Sequence, residues 1–175
     1  MTTYSRNPVS EDINDEVSSF AYGVYGAVIV GTDIRQALIT DVESIFDVRT
    51  SVSENHLSRE EMRQMGITES SVANMIQNSC CAWVAIDGIK VVGFSMVLHE
   101  NGCLFAAFVL PEYENKGIGR ELLMRAETEL FKHHEVIWLE TEKNSRAAKI
   151  YKHLGWVKKT ETDKGHIRLE KRKNN

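Results

Sequence analysis

The chain has 175 residues, 42% of them hydrophobic, which suits one compact domain with a real core and a short tail. Its 21 Lys and Arg against 25 Asp and Glu leave a net charge of −4, which argues against a general nucleic-acid binder, because phosphate neutralisation needs excess basic charge. Cys80, Cys81 and Cys103 form no CxxC, and the adjacent pair is a poor disulfide framework, so they read as reduced thiols in the core of a cytosolic protein.

Residues 1–32 read as an N-terminal extension, partly mobile, polar and turn-rich up to residue 19. Its apolar run over 20–30, FAYGVYGAVIV, is too short to span a bilayer. Glu11, Asp12, Asp15 and Glu16 before it have the wrong sign for a signal peptide. The run therefore reads as an extra strand or a packed segment, with a membrane-surface role as the lesser alternative, and no membrane partner is expected.

The domain proper is expected over 33–171, with a tail at 172–175. A short strand is expected at 34–37. Thr40-Asp41-Val42-Glu43 and Ser58-Arg59-Glu60-Glu61 have the capping-box pattern, opening helices to about Arg49 and Met65. Gly66 suits the position after a helix end. A third helix is expected over 68–77. Apolar runs at 81–86, 91–99 and 104–109 are rich in β-branched or aromatic residues. Asp87-Gly88 and Asn101-Gly102 between them suggest two-residue hairpins. Ile118, Leu122, Ala126 and Leu130 recur every four residues and make one apolar helix face. A strand at 136–141 follows. Ala147, Ile150, Tyr151 and Leu154 line a second helix face that stops at Gly155. Segments 156–162 and 166–170 close as a hairpin about Asp163-Lys164-Gly165. The fold class is α/β (α+β), with helices covering a mixed sheet.

Two segments carry chemistry. The first runs Val109-Leu110-Pro111-Glu112-Tyr113-Glu114-Asn115-Lys116-Gly117-Ile118-Gly119-Arg120, from an apolar strand into an amphipathic helix. Gly117 and Gly119 remove side chains at the helix N-terminus, where free N–H groups and the helix dipole favour an anion such as a phosphate. Lys116 can add a point charge. Pro111 lacks an N–H, so Val109 and Leu110 can leave the sheet and offer backbone groups to a ligand. A dinucleotide fingerprint needs glycine where Leu122 stands, and no Walker A sequence is present. In the second segment, Asn144 is placed as a helix cap, and Tyr151 lies two turns further along the same face. Ala147 and Ala148 keep that face low.

Together the two segments resemble the GNAT (Gcn5-related N-acetyltransferase) superfamily. The first is similar to its Q/R-x-x-G-x-G/A pyrophosphate loop, and the second to its Asn…Ala…Tyr…Gly-Phe helix, here ending Gly155-Trp156. The resemblance covers roughly residues 34–170. Glu114 departs from the family's Gln or Arg, and its carboxylate is expected to point away from the pyrophosphate.

The resemblance implies a mixed sheet with a splayed parallel strand pair and helices on both faces. It implies acetyl-CoA as co-substrate, a primary amine as acceptor, and direct attack in a ternary complex without a metal. Val109, Leu110, Glu114, Asn115, Lys116, Gly117, Ile118, Gly119, Arg120, Asn144 and Tyr151 would contact acetyl-CoA. Tyr151 would serve as general acid. The base is open among His56, His99, Glu140 and Glu142; His56 is preferred because its segment borders the acceptor site in relatives. A non-catalytic acyl-CoA sensor and a protein lysine or N-terminal acetyltransferase are the alternatives. Pairing through edge strands, as in many relatives, would give a homodimer.

Overall fold

The computed structural model describes residues 31–161 and 165–173, so the apolar run at 20–30 and the turn residues Asp163 and Lys164 lie outside the described residues. Strand β1 (Asp33–Gln36) leads through a 3-10 turn (Ile39–Asp41) into α1 (Val42–Ser51). Thr40 does not cap α1. The carboxylate of Asp41 instead accepts the Leu38 N–H at 2.7 Å and pairs with Arg35 at 2.6 and 2.8 Å. Aspartate beats threonine here because it ties down both the turn and a neighbouring cation. The second capping box is present, with Ser58 and Glu61 exchanging bonds at the start of α2 (Arg59–Gln64). Thr68 and Ser71 open α3 (Glu69–Asn78) in the same way.

An antiparallel meander follows: β2 (Ala82–Asp87), β3 (Lys90–Leu98) and β4 (Cys103–Val109). Asp87 pairs with Lys90, so the first turn is centred on Gly88 and Ile89, one residue later than the sequence suggested. Only Gly88 of the two has positive φ. The second connection is a 3-10 turn (His99–Asn101) closed by left-handed Gly102, not a two-residue hairpin. After β4 comes α4 (Ile118–Leu130), then β5 (Val136–Glu142), α5 (Arg146–His153), β6 (Val157–Glu161) and β7 (His166–Arg172).

Among the described residues, seven strands form one sheet in the order β1-β2-β3-β4-β5-β7-β6. Every pair is antiparallel except β4–β5. Helices cover both faces. On β3, Ser95 points to α4, its hydroxyl donating to the Leu122 carbonyl at 2.9 Å. Its neighbour Phe94 points the other way, packing on Phe108 and, through it, on Arg49 of α1. Alternation along a strand makes these opposite faces. Ile118, Leu122, Ala126 and Leu130 are all buried, so the four-residue period marks the α4 face that meets the sheet. Gly93 allows the close approach: a Cβ there would lie 3.0 Å from the Phe108 carbonyl and 3.1 Å from the Leu122 side chain. Among the described residues, no helix is long and apolar enough to cross a membrane.

Candidate active site

The parallel pair β4–β5 makes a single register contact, Cys103 opposite Trp138, held by the Trp138 N–H on the Gly102 carbonyl at 3.0 Å. Beyond that rung the strands part. A cavity of about 440 Å³ fills the gap. Residues 104–109 of β4, Leu139, Glu140 and Thr141 of β5, and Ile150 and Tyr151 of α5 border it. Residues 52–55, just after α1, form another wall.

One end of the cavity is the N-terminus of α4. Asn115 and Gly117 both have positive φ, at 62° and 83°. No side chain caps this helix, and its first internal bond runs from the Glu121 N–H to the Gly117 carbonyl. The earlier amides are free to turn toward a ligand, which is the arrangement that holds a phosphate. A Cβ on Gly117 would meet nothing within 4 Å, so this glycine is needed for its backbone angle. A Cβ on Gly119 would make only an ordinary 3.6 Å contact with Val109, so its absence leaves room for a ligand.

Glu114 is neutralised from across the cavity. It pairs with the guanidinium of Arg146, which also donates to the Asn115 Oδ1 at 2.6 Å. The backbone N–H of Arg146 in turn donates to the Glu54 carboxylate at 3.1 Å. Arg146 therefore links the phosphate-type corner, the start of α5 and the loop after α1. Neither Arg146 nor Glu54 was singled out in the sequence. Arg146 has a signal in hindsight: it is the first residue of α5, where a long cationic side chain reaches a departing loop carboxylate.

The cap of α5 is Ser145, whose hydroxyl accepts the Ala148 N–H at 3.0 Å and is buried beside Thr141. Asn144, expected in that role, is exposed one residue earlier and does not border the cavity. Serine's short side chain folds back on the helix start more closely, and Asn144 falls in the preceding turn. Tyr151 does border the cavity. Its ring packs edge-on against Trp156 at 6.0 Å, and Trp156 is anchored by its indole N–H on Glu127 at 2.9 Å. Glu127 also pairs with Lys171 at 2.7 Å. Burial, with a smaller push from Glu127, raises the Tyr151 pKa to about 12, so the hydroxyl stays a donor.

Of the other expected residues, Val109, Glu114, Asn115, Gly117, Gly119 and Arg120 border the cavity. The side chains of Leu110 and Ile118 are in the core, and the ammonium of Lys116 lies over the Tyr113 ring at 4.5 Å. His56 is exposed, its Nδ1 3.2 Å from the Val52 carbonyl, and does not border the cavity. Its loop does, through Glu54 and Asn55. His99 sits against Glu129 at 3.5 Å. Glu140 is the one of the four base candidates that borders the cavity. Burial, with a smaller push from Glu140, raises Cys103 to about 11, which keeps it an unreactive thiol. Among the described residues no group of His, Cys, Asp and Glu is placed to hold a metal ion.

Residues 78–158 match the family model for the acetyltransferase (GNAT) domain. No curated protein sequence matches the chain significantly. Solved structures share the fold. The PaiA N-acetyltransferase of Thermoplasma acidophilum, solved with coenzyme A, is 21% identical, with 82% of this chain and 99% of that one covered and a TM-score of 0.67. The ribosomal-protein-S18-alanine N-acetyltransferase of Escherichia coli is 22% identical over 80% and 92%, with a TM-score of 0.59. YncA of Salmonella typhimurium, solved with acetyl-CoA, is 15% identical over 83% and 95%, with a TM-score of 0.63.

Proposed function

We propose, from the match of residues 78–158 to the GNAT acetyltransferase domain, that the protein is an N-acetyltransferase moving an acetyl group from acetyl-CoA to a primary amine. The observation that carries the reading is the opening between β4 and β5, with the uncapped start of α4 at one end and Tyr151 facing in. The pyrophosphate fits the free amides around Gly117 and Gly119. The pantetheine arm fits along β4 as an added strand, pairing with backbone groups near Val109.

The acceptor amine attacks the thioester carbonyl directly. A backbone N–H of β4 meets the developing oxyanion. The Tyr151 hydroxyl donates to the leaving sulfur, and Glu140 takes the acceptor's proton directly or through water. Glu140 replaces His56 as preferred base because it borders the cavity and His56 does not. Asn144, Lys116 and Ile118 then contribute to donor binding only through backbone groups or through the long reach of the lysine. Three free cysteines accord with action in the cytoplasm. Strand β6, exposed along its whole length, offers an edge for a homodimer.

The alternative of a non-catalytic acyl-CoA sensor is disfavoured by Tyr151, a donor held at the cavity wall with no hydrogen-bond partner for its hydroxyl among the described residues. The test is to incubate the pure protein with acetyl-CoA and a panel of amines, following free thiol release. Release that requires both substrates supports the enzyme. Tight acetyl-CoA binding with no release on any amine supports the sensor.

A further inference from the structure

Arg49, near the end of α1, is 8% exposed, and its Nη1 is buried with no hydrogen-bond partner. Among the described residues it makes no ion pair. Arg35, Arg59, Arg63, Arg146 and Arg168, by contrast, each have a carboxylate at 3.3 Å or closer. The guanidinium rests on the Phe108 ring, 4.3 Å from its centroid. Phe108 belongs to the opened part of β4 and borders the cavity. Arg49 itself does not border the cavity but lies against Phe108, which does, and three residues on the chain becomes cavity wall at Val52. Burial pulls the Arg49 pKa down, and no neighbouring charge opposes it.

A buried cation without a partner is costly to the folded state. Proteins retain such groups where a ligand completes them. The location is informative. Arg49 is one ring's thickness from β4 on the α1 face of the sheet, and the donor's phosphate corner is built separately at α4. An anion reaching Arg49 therefore belongs to the second substrate. A polycationic acceptor would be repelled from the same place.

We propose that Arg49 is the acceptor-recognition residue and that the acceptor is an amine bearing a carboxylate, which forms a two-pronged salt bridge with the guanidinium. This rests on the acetyltransferase reading and names the substrate class for it. The planar guanidinium matches a carboxylate oxygen for oxygen, and the Phe108 face holds that plane in place. The chemistry of the step is unchanged: the amine gains the acetyl group and loses a proton, and CoA leaves as the thiol.

The experiment uses the full chain, Arg49→Met and Arg49→Lys. Thermal shift is recorded with acetate and with acetamide at matched ionic strength. Turnover is measured with paired amines, β-alanine against β-alaninamide and phenylalanine against phenylalaninamide. In the native protein acetate raises Tm and acetamide does not, and each carboxylate acceptor is favoured over its amide by about tenfold to a hundredfold in kcat/KM, as expected for a charged hydrogen-bonded pair. Arg49→Met abolishes both preferences, leaves acetyl-CoA affinity unchanged, and has a Tm equal to or above native because an unpaired buried charge is gone. Arg49→Lys recovers part of the preference. A native protein that binds acetyl-CoA yet treats acetate and acetamide alike overturns the proposal. So does an Arg49→Met variant that retains the carboxylate preference. Failure to bind acetyl-CoA would instead remove the acetyltransferase reading beneath it.

Discussion

Replacing Tyr151 by phenylalanine separates two ways in which a tyrosine can help a thiolate leave. The variant keeps the ring against Trp156 and removes only the hydroxyl, so the fold should persist. The Tyr151 pKa of about 12 lies well above that of an ordinary thiol, near 8.5, so complete proton transfer to the leaving sulfur is uphill by about 5 kcal/mol. On the proposed mechanism Tyr151 would therefore act by donating a hydrogen bond to the developing thiolate, and the proton that CoA finally carries would come from the acceptor ammonium. A hydrogen bond to a charged group contributes about 1.5–3 kcal/mol, so Tyr151→Phe should lower kcat by about tenfold to a hundredfold with acetyl-CoA Kd within about twofold. Stopped-flow thiol release and calorimetric binding measure the two separately. Unchanged kcat would refute the reasoning. So would a native pH profile whose kcat falls with a pKa near 10 and loses that limb in the variant, since that is the signature of a tyrosine titrating normally. The same shift predicts a stability signature. A folded pKa above the unfolded value means that the neutral hydroxyl stabilises fully below about pH 10 and that this is lost as pH rises toward about 12. Tyr151→Phe should flatten the alkaline fall in Tm.

Gly93→Ala should destabilise the fold by about 1–3 kcal/mol in urea titration, because the new methyl would press on the Phe108 carbonyl and the Leu122 side chain. Ser145→Ala should cost about 1 kcal/mol through loss of the α5 cap, while Asn144→Ala should leave both stability and acetyl-CoA affinity unaltered. Arg146→Ala should change stability by less than about 1 kcal/mol, since its ion pair is exposed. It should nevertheless weaken acetyl-CoA binding several-fold in calorimetry, by leaving Glu114 as a bare carboxylate beside the phosphate corner, and Glu114→Gln in the same chain should restore it. Glu140→Gln should lower kcat with little change in acetyl-CoA affinity; equal turnover would return the base to the other candidates.

The parts of this fold that announce themselves in the sequence are those set by local periodicity and backbone constraint. The α4 face shows at Ile118, Leu122, Ala126 and Leu130, and the phosphate corner shows at Gly117 because only glycine takes that backbone angle cheaply. Ser58 and Glu61 cap from three residues apart, so their pattern is legible too. Thr40 and Asn144 misled because several polar side chains compete for each helix start, and tertiary partners such as Arg35 decide among them. Arg146, Glu54 and Arg49 were silent. Their meaning lies in contacts 31, 92 and 59 positions away, or in the lack of one, and no local pattern encodes that. The cavity wall around Glu54, Arg146 and Arg49 was opaque for this reason, and the Gly117–Gly119 corner, built from consecutive residues, was not.

The single Cys103–Trp138 rung has a consequence for the molecule's mechanics. Among the described residues it is the only ladder contact through which β1–β4 and β5–β7–β6 form one sheet, so the sheet behaves as two plates riveted at one corner. Because a strand's amides alternate in direction, every second N–H between residues 104 and 109 faces the gap instead of a neighbouring strand. Those amides should exchange with deuterium quickly in the free protein and slow sharply when a pantetheine arm occupies the gap. A donor lying there is in effect a removable strand. Its arrival would stiffen the whole sheet and its departure would let the plates breathe, which couples turnover to the one place where this fold is deliberately left unstitched.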